Sequence, residues 1–387
     1  TNASTLNMAS TTAWTNNGTI TATNSSTLST AGTWTQNGTF SILSSSTVNL
    51  GGTFTTVEFE GINRDVATIT SNLSGTLGNS ADILTLDATT GDLNFINGTI
   101  SGGTITDDGA GRYNFSTGNG TFDGVIVDTD LLVENNRTLY MTYDLEFGAS
   151  APTITLGGTG YGRITLLNNV SQSIGATGTG SIILNHASSQ VNDQGYSGHL
   201  HTIGQNVSIS GFGTVTTLTG TSFFDNLGTI TADQSGLTLN LTRVNNNAVG
   251  TMSAINSAVL SLNTFTNNST IDINNATLAT AGSWGNPGQI ITTTSGTINF
   301  GGNFSRADFL NQTNASLATT NLTGTMDNSG GTLTLDATTG DLIFINVTIS
   351  CGTITEDGAG RYNFSTGNGT FDGVIVDTYL LIENNRT

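Results

Sequence analysis

The chain has 387 residues, 35% hydrophobic and 7% aromatic, with 27 acidic residues against eight arginines and no lysine, for a formal charge of −19. Phosphate recognition needs cationic patches that so few basic residues cannot assemble, so nucleic acid is excluded as a partner and an anionic membrane surface is disfavoured. No apolar run reaches transmembrane length, so no membrane insertion is expected, and the single Cys351 leaves the chain without an intrachain disulfide framework.

Near the start of the chain a short period appears. Trp14, Trp34 and Phe54 are spaced by twenty residues, as are Gly18 and Gly38, Leu28 and Val48, and Gly32 and Gly52. Between these markers lie short alternating runs such as Thr19-Ile20-Thr21-Ala22 and Thr27-Leu28-Ser29, whose β-branched and apolar residues suit strands. Further on, Gly124-Val125-Ile126-Val127-Asp128 and Arg163-Ile164-Thr165-Leu166-Leu167 are of strand length, and few stretches read as helical. Gly228-Thr229-Ile230 and Gly250-Thr251-Met252 are 22 apart, and Leu278/Ile298, Gly282/Gly302 and Trp284/Phe304 are again twenty apart. With fifty Gly and two Pro, the turns must be made by Gly and by Asn in left-handed conformations.

A long period encloses the short one. Residues 91–138 return as residues 340–387 with a constant offset of 249; only Asn94/Ile343, Gly98/Val347, Gly102/Cys351, Asp107/Glu356, Asp130/Tyr379 and Val133/Ile382 differ. Residues 1–387 therefore read as one continuous β-solenoid carrying about one and a half copies of a 249-residue tandem unit. Twenty residues make three short strands and three turns, which predicts a parallel β-helix of about 20 residues per coil, roughly nineteen coils in all. At ~4.8 Å per coil the rod would be about 90 Å long. Such a tube needs only a few inward apolar residues per coil, and Trp14, Trp34 and Phe54 should stack in one column. No capping segment is visible at Thr1 or Thr387, so both ends are expected to be cut from a longer chain or to meet another copy. A secreted array would carry its signal peptide upstream.

The runs Trp14-Thr15-Asn16-Asn17-Gly18-Thr19-Ile20 and Phe265-Thr266-Asn267-Asn268-Ser269-Thr270-Ile271 resemble the right-handed β-helical stalks of filamentous haemagglutinin-like adhesins and autotransporter passengers. The resemblance implies a right-handed coil, an extracellular or cell-surface location, and a structural or adhesive fibre without a catalytic centre. The expected partners are other copies, joined end to end or laterally, and surface glycans or other cells.

Candidate chemistry is sparse. Asp107-Asp108 and Glu356-Asp357 could place hard oxygen ligands for calcium at a turn, against the plainer reading of a solvated acidic turn; no other cofactor is expected. His199 and His201 alternate on a strand and so share a side, although no third ligand is evident and surface histidines are the plainer reading. Cys351 stands where the sister copy has Gly102 and reads as drift. About twenty-two Asn-X-Ser/Thr triplets make Asn17, Asn37, Asn97, Asn119, Asn240, Asn346 and Asn368 candidates for N-glycosylation; stacked amide ladders are the structural alternative. Thr-X-Thr triplets at 19–21, 104–106 and 353–355 do not recur at one fixed position, so a flat lattice-matching array is not expected.

The competing class is a β-helical polysaccharide-degrading enzyme or phage tailspike, working through outward carboxylates. Asp123, Asp128 and Arg112 would be its residues, recurring as Asp372, Asp377 and Arg361. Copying of whole units repeats surface residues without functional cause, so the expectation is no enzyme and no catalytic residue.

Overall fold

A computed structural model of the chain describes residues 4–9, 12–364, 366–380 and 382. The fold is an all-β parallel β-solenoid of about 17 turns of ~22 residues. It divides into two compact units, Thr1–Tyr196 and Ser197–Thr387.

In the first unit, one ladder runs through Thr5–Met8, Thr27–Thr30, Thr47–Leu50, Thr70–Leu73 and Leu93–Phe95, every pair parallel and in register. A second passes through Thr53–Thr55, Thr76–Gly78, Gly98–Ser101, Gly120–Asp123 and Arg137–Met141. Alternation decides which side chains face in. Leu28, Val48, Leu50, Leu73, Leu93 and Phe95 are buried, whereas Ser29, Asn49, Asn72 and Asn94 between them point outward. Each coil therefore adds its few apolar residues to columns that neighbouring coils close off from water.

The expected period of about twenty is corrected to about 22, and it varies. Val259 pairs with Thr277 eighteen residues on, and Thr153 pairs with Ser181 twenty-eight residues on. Only the strand registers must match from coil to coil. Extra residues go into corners, where lengthening a loop costs little.

The aromatic column forms as expected. Trp14 and Trp34 stack with centroids 5.8 Å apart, and Trp34 and Phe54 at 4.6 Å. The second unit repeats it with Phe265, Trp284 and Phe304, at 5.6 and 4.7 Å. The local bonding around it also returns: Thr30 donates to the Gly51 carbonyl at 3.0 Å, as Thr280 does to Gly301 at 3.2 Å. Within the repeated stretch the same pattern holds. Phe95 lies over Phe115 at 4.4 Å and Phe344 over Phe364 at 4.5 Å, and the strand Gly98–Ser101 pairs with Gly120–Asp123 as Val347–Ser350 pairs with Gly369–Asp372. Gly120 is required by this packing, because a Cβ there would lie 2.5 Å from the Phe95 ring and 2.6 Å from that of Phe115. Thr1 and Thr387 lie outside the described residues, as does the end of the second copy from residue 383.

Among the described residues two one-turn α-helices, α1 (Thr56–Glu60) and α2 (Arg306–Leu310), and a 3-10 turn, Ala315–Leu317, interrupt the strands at places where the sequence reading located no helix. Each α-helix opens on a reciprocal capping box, Thr55 with Glu58 and Ser305 with Asp308, and each drops a fully buried phenylalanine, Phe59 or Phe309, into the interior. The Thr-X-X-Glu and Ser-X-X-Asp spacings were the available signal.

Candidate functional site

Asparagine and threonine hydrogen bonds between coils dominate the polar chemistry. On the outer face of the first ladder, Asn72 donates to Asn49 at 2.9 Å, Asn94 to Asn72 at 3.2 Å and Asn114 to Asn94 at 2.8 Å. A second, buried ladder occupies a corner of the second unit. Asn226 donates to Asn246 at 3.0 Å, Asn246 to Asn267 at 2.8 Å and Asn267 to Asn286 at 2.7 Å, all four fully buried. Each of the first three also donates to a carbonyl of the next coil, those of Thr251, Thr270 and Gln289. A primary amide has two donor hydrogens, and this arrangement uses both.

The candidate glycosylation sites fall into the same architecture. Asn17, Asn37, Asn97, Asn240, Asn346 and Asn368 are exposed and Asn119 half-buried. Asn97 and Asn346 hold left-handed φ of 61° and 58° at corresponding corners. In Asn97-Gly98-Thr99 the asparagine turns the corner in a left-handed conformation, and in this triplet and Asn119-Gly120-Thr121 the glycine packs against Leu73 or Phe95 of the coil before. Some amides are already engaged: Asn37 donates to Asn17 at 3.1 Å, and Asn119 accepts from the Thr138 N–H at 2.9 Å. The Thr-X-Thr triplets at 19–21 and 104–106 lie on separate ladders, whereas 353–355 is in register with Thr332 and Thr334 of the coil before; single outward threonines also line up, with Thr53, Thr76, Thr99 and Thr121 in register on successive coils.

The proposed calcium ligands serve their own turns. Asp107 accepts from the Gly109 N–H at 3.0 Å and from the Thr129 hydroxyl, Asp108 from the Ala110 N–H at 2.9 Å, and Asp357 from the Ala359 N–H at 2.9 Å; Glu356 ends a strand. Among the described residues no group of three or more His, Cys, Asp or Glu is placed to hold a metal. The histidines need a correction. His201 is buried, its ring 5.2 Å from Phe224 and 6.2 Å from that of half-buried His199, so it packs inside rather than on the surface. Cys351 is exposed at φ 63°, a conformation that the glycine of the sister copy adopts without strain.

Asp123 and Asp128 are tied into coil-to-coil bonds. Asp123 accepts from Ser101 at 2.8 Å and Thr142 at 2.7 Å, and Asp128 from the Ser150 N–H at 2.7 Å. Arg112 lies elsewhere, in a groove of about 910 Å³ in the first unit. Its floor comprises outward residues of successive strands, Asn114, Leu132 and Thr155, and its sides carry Asp92, Asp107, Asp130 and Glu134. Tyr113 anchors the floor from beneath. Burial first, then the Asp107 carboxylate, hold its hydroxyl well above the usual range, so it stays protonated and donates to the Leu84 carbonyl at 2.7 Å. Sequence reading did not single out this groove, because its residues converge only through coil-to-coil register.

Asp87 and Asp336 are a matched pair the sequence reading also passed over. Each accepts from the hydroxyls and N–H groups of the threonines two and three positions after it, Thr89 and Thr90 or Thr338 and Thr339, and these bonds hold each carboxyl down at about 2. Compared with family models, curated proteins and solved structures, the chain finds no match.

Proposed function

We propose that this chain is a segment of an extracellular or cell-surface fibre with a structural or adhesive role, akin to the stalks of filamentous haemagglutinin-like adhesins. The observation that carries this reading is the return of a complete local geometry after about one long unit: the Trp34 stack with its Gly51 bond, and the Trp284 stack with its Gly301 bond. Selection for a repeated scaffold preserves such internal packing. Partners under this reading are other copies, arranged end to end or laterally, and surface glycans; nucleic acid and membrane insertion have no place in it. The exposed sequon asparagines would carry sugar only in a host that glycosylates exported chains.

The polysaccharide-degrading alternative needs outward carboxylates available to substrate, and its nominated Asp123 and Asp128 already accept hydrogen bonds from adjacent coils. Negative-stain imaging of native material tests the fibre: long uniform filaments are expected, and separate short spikes would sink it. A second assay addresses the enzyme. If Asp123→Ala abolished a measurable sugar-releasing activity of otherwise folded protein, the enzyme would become the leading reading.

A further inference from the structure

We propose that the groove around Arg112 binds an uncharged oligosaccharide lying along the coil stack, an inference that rests on the adhesive reading above and gives it a contact surface. The groove is polar, open and preorganised. The Asn114 amide is fixed on both sides, donating to Asn94 at 2.8 Å while its oxygen accepts from the Ser116 N–H at 2.8 Å. Asp130 is held by the Thr153 N–H at 2.7 Å, and Asp107 by Gly109 and Thr129. Carboxylates restrained in this way keep further lone pairs for a ligand hydroxyl and lose little side-chain freedom on binding.

Register sets the axis of the ligand. Asn94 pairs with Asn114 and Asn114 with Leu132, and Asp92, Arg112 and Asp130, each two residues before one of these paired positions, line the groove from successive coils. Donor and acceptor therefore alternate along the stack at about 4.8 Å. A β-linked hexose chain advances by about one coil per sugar and can present a hydroxyl to each row. An extended peptide advances about 3.3 Å per residue and falls out of step. Leu132, 45% exposed, supplies the apolar face for a sugar ring.

Charge narrows the class. Four carboxylates face one guanidinium in a chain of net charge −19, so uronate and sialylated glycans are repelled and neutral ones are not. The second copy of the unit has Ile343 and Tyr379 where the first has Asn94 and Asp130, so its corresponding surface loses this alternation.

The test is calorimetric titration of the whole chain with cellotetraose, chitotetraose and mannotetraose, with tri-galacturonate and nona-arginine as charged comparisons. At least one neutral tetrasaccharide should bind saturably. Arg112→Ala and Asp130→Tyr should each weaken it at least tenfold without changing the melting curve; Tyr is the residue the sister copy carries at that place. Arg361→Ala should leave binding intact. The groove proposal is overturned if no neutral tetrasaccharide binds, if only nona-arginine binds, or if Arg361→Ala rather than Arg112→Ala removes binding. Imaging the same samples separates the two readings. Filaments without sugar binding sink the groove alone, and sugar binding by non-filamentous particles sinks the fibre alone.

Discussion

The indole N–H of Trp34 donates to the carbonyl oxygen of Gly51 at 3.0 Å, reaching from one coil to the corner that follows. Trp14 makes the corresponding bond to Ala31 at 2.8 Å, and Trp284 to Gly301 at 2.8 Å. In every case the acceptor lies seventeen residues after the tryptophan. For Trp34 and Trp284 the bond satisfies the one polar atom of a side chain otherwise sealed in the column, and so makes tryptophan tolerable there; Trp14 is half-buried.

Replacing Trp34 by Ala should therefore cost about 3–5 kcal/mol, from lost burial and the cavity left in the stack. Trp34→Phe keeps the stack and forfeits the hydrogen bond, a loss of about 1 kcal/mol. Urea unfolding of the two variants, followed by far-UV circular dichroism, should rank them in that order. Equal losses would show that stacking contributes little.

The buried asparagine ladder makes a sharper demand. Asn246→Asp removes two donors and places a carboxylate against the Asn267 oxygen and the Thr270 carbonyl, so a loss of about 3–5 kcal/mol is expected at neutral pH. Acidification should recover part of it by neutralising the new carboxyl. A variant as stable as the parent at pH 7 would mean that the ladder is not closed to water.

Among the described residues, interior columns contain misplaced hydroxyls, those of Ser71 and Thr320 among them. Ser71 sits between Val48 and Leu93, and Thr320 between Ile298 and Leu342; both are buried with the hydroxyl oxygen making no hydrogen bond. Ser71→Ala and Thr320→Val should each raise stability by about 1 kcal/mol, because an unsatisfied polar group is exchanged for an apolar one. A fall in the denaturation midpoint of either would contradict this.

The Asp87 turn predicts a pH effect of definite sign. Its folded carboxyl titrates at about 2 against an ordinary 3.8, so the turn's contribution is complete above the ordinary value and is lost as pH falls through about 2. Carboxyl carbon NMR should find that low midpoint. Thr89→Ala combined with Thr90→Val should move it back toward 3.8, and an unmoved midpoint would assign the depression to another cause.

Leu28 and Ile20 separate core from rim. Leu28 is buried between neighbouring coils, whereas Ile20 is only half-buried. Leu28→Asp should cost several kcal/mol, as an unpaired charge enters an apolar column. Ile20→Asp should cost markedly less, and thermal melts of the two proteins compare them directly.

The sequence by itself determined the class of fold. Alternating Thr and aliphatic residues dictate strands, a period near twenty dictates stacked coils, and aromatics repeating at that period dictate a column, since like positions in successive coils must coincide. The 249-residue recurrence was legible in the same way. Register was not. A corner can take in several residues without disturbing the ladders it joins, so the true period of about 22, its spread from coil to coil and the partners of each outward side chain follow only from the folded chain. The same physics hid the groove, which Arg112 and Asp130 both line because Asn114 pairs with Leu132, and placed His201 inside beside Phe224. Local pattern decides which face of a strand is apolar; only tertiary pairing decides which residue stands above which.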